Sequence, residues 1–150
     1  MLSQAKFLST LPEILIPLLP KPLQTVQTNQ PWRWLIQFHY GEKRLHYEVS
    51  SANKRDGWEI GFHCESKDKE LNRYLLRGFR RHLFEIKDTL GPTVEAEMWD
   101  RGWTKIYDVF PDKTTSEANQ QLIAQRLAAM ITHLQPLYAQ LRGDVRRLHR

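Results

Sequence analysis

Three histidines and three glutamates in this chain share a spacing that could do chemistry. His39, His46 and His63 each fall on the polar positions of segments in which apolar residues take the alternate places, and Glu48, Glu59 and Glu65 follow the same alternation. On a β-strand, residues two apart point to the same side, so these six are expected on one face of a sheet. Imidazoles and carboxylates on a rigid surface can bind a metal or exchange protons, because one group coordinates or accepts while another orients it. The polar faces of antiparallel sheets also carry Glu and His with no such role. His39, His46 and His63 therefore stand as candidate ligands only; the sequence assigns no catalytic residue, no metal and no cofactor, and leans away from an enzyme. It holds no phosphate-cradling glycine loop, no Cys or His pair at zinc-ligand spacing and no Gly-x-Ser-x-Gly elbow.

Two further groups could bind a partner. Trp99, Trp103 and Tyr107 would form an aromatic patch on the same polar face, and aromatic rings are common anchors of interfaces. The N-terminal segment Phe7 to Leu23, rich in Leu and Ile, is the expected cover for that patch. Arg73, Arg77 and Arg80 recur at helical spacing with Phe84 on the same outward side. Such a ridge could contact phosphates with a ring able to stack on a base, or could be a solvated helix surface whose Phe84 meets a second subunit. The basic end, Arg142, Arg146, Arg147, His149 and Arg150, reads either as a nucleic-acid arm or as a solvated terminus.

The elements that must position these groups follow from periodicity. Trp32 to Tyr40 alternates Trp32, Trp34, Ile36, Phe38 and Tyr40 with polar or smaller residues, and Leu45, Tyr47 and Val49 repeat the pattern. A two-residue turn at Gly41-Glu42 would set Phe38 opposite Leu45, Ile36 opposite Tyr47 and Trp34 opposite Val49. The third strand, Trp58 to Glu65, follows a turn over the polar run Ser50 to Gly57. A second hairpin joins Val94–Trp99 to Trp103–Asp108 through Asp100-Arg101-Gly102, with Gly102 left-handed, pairing Ala96 with Ile106, Met98 with Thr104 and Glu97 with Lys105.

Between the two β units, Leu71, Leu75, Phe79, Leu83 and Ile86 predict one helix over Lys69 to Leu90, stopped by Gly91-Pro92. Another apolar stripe starts near Thr115 or Ser116 as N-cap and runs to Leu141, with Pro136 expected to kink or split it and Gly143 to end it. Pro20, Pro22 and the polar run Gln24 to Gln30 read as a connector.

At 150 residues, a single domain can bury an ordinary core without staples. The domain is read as residues 1–30, a helical segment and linker; 31–110, the sheet and central helix; and 111–150, the C-terminal helix and basic tail. The lone Cys64 cannot form an internal disulfide, which fits a reducing, cytoplasmic setting. No apolar run reaches the roughly 20 residues of a membrane span, and Pro12, Glu13 and Pro17 interrupt the N-terminal one. The net charge of +5 would permit contact with nucleic acid without requiring it.

A helix, a proline-rich link, Pro31-Trp32 opening three strands, the run from Glu59 to Asp68, a helix ending in Leu90-Gly91 and the hairpin from Val94 to Tyr107 together resemble an uncharacterised prokaryotic domain family. Its members occur alone or after a restriction-nuclease-like domain, with no established catalytic residues. The resemblance implies this strand order and no activity. The expectation is thus an α+β fold of about five curved antiparallel strands, ordered α-β-β-β-α-β-β-α, with helices on one face. The function expected of it is that of an interaction module, binding a protein or a second copy as a homodimer, with nucleic acid and a metal or enzyme role on the histidine face as alternatives.

Overall fold

The computed structural model describes residues 1–51 and 56–148. It is an α+β fold built on an open, six-stranded antiparallel sheet in the order β1-β2-β3-β4-β6-β5. The strands are β1 Gln27–Trp32, β2 Leu35–His39, β3 Leu45–Ser50, β4 Trp58–Cys64, β5 Glu95–Met98 and β6 Thr104–Phe110. The helices are α1 Gln4–Ser9, α2 Leu11–Leu18, α3 Lys69–Arg81, α4 Leu83–Leu90 and α5 Glu117–Leu148.

The alternation sorts the two faces as expected from Ile36 onward; Trp32 and Trp34 depart from it, because the chain turns between β1 and β2, leaving Trp32 60% exposed and Trp34 on the side away from the helices, opposite the face expected of it. Ile36, Phe38, Tyr47, Val49, Trp58, Ile60, Phe62 and Ile106 are all buried on the face that meets the helices. Phe62 touches Phe79 of α3 and Tyr138 of α5, and Phe7 of α1 stacks on Trp58 at 5.0 Å. The helical layer is closed by polar bolts: the buried Gln120 amide donates to the Phe7 carbonyl at 2.8 Å and to the Thr10 hydroxyl at 2.7 Å. These contacts draw the N-terminal segment onto the helical side, so it does not cover the aromatic patch.

Several local expectations need correction. There are six strands, not five, because part of the run read as a connector forms β1. Its residues are nearly all exposed, so no alternation marks it, and it is held by backbone pairing to β2. The first hairpin pairs Phe38 with Tyr47 and Ile36 with Val49, two residues from the expected register. A two-residue slip preserves the faces, and the longer loop it needs uses Gly41 at φ +114°. The second hairpin has the expected pairing, with Gly102 at φ +77°. The helix expected over Lys69–Leu90 breaks at His82 (φ −104°, ψ 9°), which keeps both Phe79 and Ile86 fully buried. Helix α5 begins at its Ser116 cap, whose hydroxyl accepts from the Asn119 amide at 3.1 Å. It is neither split at Pro136 nor ended at Gly143. The turn expected at Ser50 to Gly57 lies largely outside the described residues, as do His149 and Arg150.

Part of the basic tail is committed to the fold. Arg142 grips Glu42 with both carboxylate oxygens engaged, at 3.0–3.2 Å, and Arg146 and the Tyr138 hydroxyl add contacts at 3.2 and 2.9 Å. Burial would raise the Glu42 pKa, but hydrogen bonds from Arg142 and Tyr138 and the arginine charges hold it below the usual carboxylate range. A depressed carboxylate stabilises the fold above its unfolded pKa and loses that contribution as pH falls through the folded one. Glu42→Gln is therefore expected to cost roughly 0.5–1 kcal/mol at pH 7. Urea unfolding of both chains should show this gap closing below about pH 4.

Candidate metal centre

The face of the sheet away from the helices carries a cleft, and the polar side chains at its centre are buried. His46 and His63 are 2% exposed, Glu59 6% and Glu48 7%. His46 of β3 and His63 of β4 are cross-strand partners, with rings 5.8 Å apart and nearly parallel. Glu48 projects beside them from β3 and Glu65 from just beyond β4. One nitrogen or oxygen from each of His46, Glu48, His63 and Glu65 lies within 4.8 Å of the other three.

Each imidazole is oriented from behind. The His46 Nδ1 is 2.8 Å from the Lys43 carbonyl, which can only accept, so Nδ1 carries a proton. Its Nε2 then faces the Glu48 carboxylate at 3.0 Å and Glu65 at 3.9 Å. His63 is turned the other way: Nε2 donates to Glu59 at 2.9 Å, and Nδ1 faces Glu65 at 3.1 Å and Glu48 at 3.6 Å. Lys105 of β6 fixes Glu59 in turn, at 2.7 Å. This is the geometry of a backbone–His and a carboxylate–His pair, in which the outer hydrogen bond sets the tautomer and aims the inner nitrogen at a shared point.

Buried charge is costly unless paired, and the site is paired throughout. Burial would lower the His63 pKa, but Glu48, Glu59 and Glu65 around it push it up to about 10. For Glu59 and Glu65, burial works upward and is overcome by the hydrogen bond each accepts from His63, with Lys105 helping Glu59, so both lie below the usual range. A divalent ion would take the place of the proton on His63 Nδ1, which faces Glu65 at 3.1 Å and Glu48 at 3.6 Å.

Gly61 lets β4 and β6 approach closely beside the cluster. It lies opposite Glu48 on β3 and Tyr107 on β6, and a Cβ there would stand 2.7 Å from the Tyr107 Cβ and 2.9 Å from the Ile106 carbonyl oxygen. Glycine inside a strand often marks such a close approach.

Above the cluster is a cleft of about 610 Å³ whose lining includes Glu48, His63 and Glu65 at the floor and Trp34, Trp99 and Trp103 on the walls. Trp99 stands edge-on to His63 (5.9 Å between centroids) and to Trp103 (5.4 Å). The Lys105 ammonium lies 5.2 Å from the Trp99 ring and 4.3 Å from the Tyr107 ring. The buried Asn72 steadies this wall: it bonds both backbone groups of Ser66 and reaches the Gly102 carbonyl at the base of the Trp99–Trp103 turn.

The structure thus unites Trp99, Trp103 and Tyr107 with His46 and His63. His39 is buried but apart from the four converging groups, its Nδ1 accepting from the Gly41 amide at 3.1 Å. Arg73, Arg77, Arg80 and Phe84 belong to the helical layer across the sheet. Arg73 pairs with Glu70, and Arg80 donates twice to the Ala96 carbonyl. Among residues the sequence left without a role at this site, Gly61, Lys105 and Lys43 matter most; the sequence places Lys105 opposite Glu97 without tying it to the histidines, and an isolated glycine in the middle of an alternating strand was the one available signal.

No family model matches this chain, and none of the curated proteins or solved structures compared with it matches either. Among the described residues, no helix is long and apolar enough to cross a membrane.

Proposed function

We propose that the protein binds a divalent transition-metal ion through His46 Nε2, His63 Nδ1, Glu48 and Glu65, and presents that ion to the cleft. The observation that carries this reading is the opposed anchoring of the two imidazoles, which turns one nitrogen of each toward the two carboxylates. Two imidazoles and two carboxylates without a thiolate suit Mn, Fe, Co, Ni or Zn better than Ca or Mg. Four donors about 2.1 Å from a tetrahedral ion stand about 3.4 Å apart; the imidazole–carboxylate separations here run from 3.0 to 3.9 Å, and the most widely spaced donors, all within 4.8 Å, would close in by roughly an ångström. Bound there, the ion would supply Lewis acidity to a ligand in the cleft. Glu59 and Lys105 would hold His63 in its ligating tautomer.

The test is elemental analysis of the purified chain, followed by calorimetric titration of chelator-treated protein with Zn²⁺ and Mn²⁺. One ion per chain is expected, with affinity reduced at least 100-fold in His46→Ala. Absence of binding by any first-row ion would sink the proposal.

Self-association is a second reading favoured by one observation, Phe84 at 90% exposure on a surface otherwise rich in arginine. Light scattering on the same column peak reports it. The nucleic-acid reading is weakened by the prior engagement of Arg73, Arg80, Arg142 and Arg146 within the fold. A cytoplasmic location is retained as part of the proposal, supported by the single thiol, buried on the helical face.

A further inference from the structure

We infer that the cleft takes an uncharged planar aromatic molecule bearing one oxygen or nitrogen donor, which completes the coordination of the metal; this rests on the metal reading above. Three observations carry it. The first is access: Glu48, His63 and Glu65 line the cleft floor, so an ion held by them has a side turned to the cleft. The second is shape and surface. Trp34, Trp99 and Trp103 stand around a space of about 610 Å³, within the range of small-molecule sites and large enough for one or two fused rings. Trp99 and Trp103 meet at 60°, a corner in which a flat ring can lie on one indole and touch the edge of the other, the arrangements aromatic pairs prefer.

The third is charge. Glu48, Glu59, Glu65 and Glu97 all line the cleft, against Lys105 as the one lysine or arginine among its described lining residues; the Lys105 ammonium is already on Glu59, and at the margin Arg101 lies over the Trp103 ring at 5.6 Å. With a divalent ion bound and His63 neutral, the cleft keeps one excess negative charge. A phosphate or nucleotide would meet repulsion from these carboxylates in a site of low dielectric. A neutral donor such as an azole nitrogen, phenol or amide carbonyl meets no such cost. The aromatic corner and the charge balance therefore select the same class.

The full chain loaded with Co²⁺ provides the test, because the visible bands of cobalt respond to a new ligand on the ion. Benzimidazole at pH 8 is the probe, with inorganic phosphate and a dinucleotide as competitors in parallel. Benzimidazole should shift the cobalt bands saturably, and Trp99→Ala and Trp103→Ala should each weaken that binding at least tenfold while cobalt stoichiometry stays at one. Using both variants guards against a local folding defect in either. If cobalt binds but benzimidazole leaves its spectrum unchanged, or phosphate or the dinucleotide binds more tightly, the inference is overturned and the metal reading stands. If no cobalt binds, both fall.

Discussion

Saturating the chain with Zn²⁺ at about 100 times its dissociation constant is expected to raise the thermal midpoint by about 5–10 °C over chelator-treated protein. The size follows from linkage: a ligand bound only by the folded state at that excess contributes about 2.7 kcal/mol, and a domain of this length shifts roughly 2–4 °C per kcal/mol. His63→Ala should abolish the difference by removing one donor. It should also lower the metal-free midpoint, because Glu48, Glu59 and Glu65 lose the cation between them, and an unpartnered buried charge costs about 3–5 kcal/mol. His46→Ala should abolish the zinc response with a smaller metal-free loss, since Glu48 and Glu65 keep His63. Differential scanning calorimetry with and without chelator separates the two effects; an identical midpoint in both conditions for the native chain would refute a folded-state metal site.

Gly61→Ala is expected to cost about 1–3 kcal/mol, the usual penalty of forcing a methyl into a packed interior. The added carbon would contact the Tyr107 Cβ and the Ile106 carbonyl oxygen, neither of which is the loose end of a flexible chain. Strands β4 and β6 must separate locally, and Glu48, opposite Gly61, moves with them, so zinc affinity should fall too. Gly143→Ala is the matched control. That glycine lies inside α5 with open space around it, and alanine there should stabilise by up to about 1 kcal/mol. Urea unfolding of the three chains should give opposite signs; equal, negligible shifts would show that β4 and β6 do not need the close approach.

The contrast between what was legible and what was not has a physical basis. Faces were legible because alternation depends only on the two-residue period, and the slipped β2–β3 register left the residues of both strands on their expected sides; Trp34, in the turn before β2, is the exception. The pairing of the second hairpin was legible because a three-residue turn with glycine admits few geometries; the left-handed Arg101 within that turn and the 46% exposure of Met98 were not. Strand β1 was not, since an edge strand exposed on both sides needs only its backbone to pair. Helix α5 overrode Pro136 and Gly143 because its burial against α2, α3 and the sheet outweighs two weak positions. At the site, the shared face of His46 and His63 was visible in the chain, but their direct opposition depends on how β3 and β4 align across a long connection. The orienting roles of the Lys43 carbonyl, Glu59 and Lys105 come from three separate segments, and no local pattern links them.

The sheet is open, so its two outer strands could each template another chain. Each is poor at doing so. Strand β1 is interrupted by Pro31, which lacks an amide proton, and its register shifts between Asn29 and Trp32; β5 is four residues long and carries Glu95 and Glu97. Proline, irregularity, shortness and like charge are the devices by which natural sheets resist edge-to-edge growth. A cleft lined with tryptophans thus sits on a scaffold protected at both margins against fibrillar stacking.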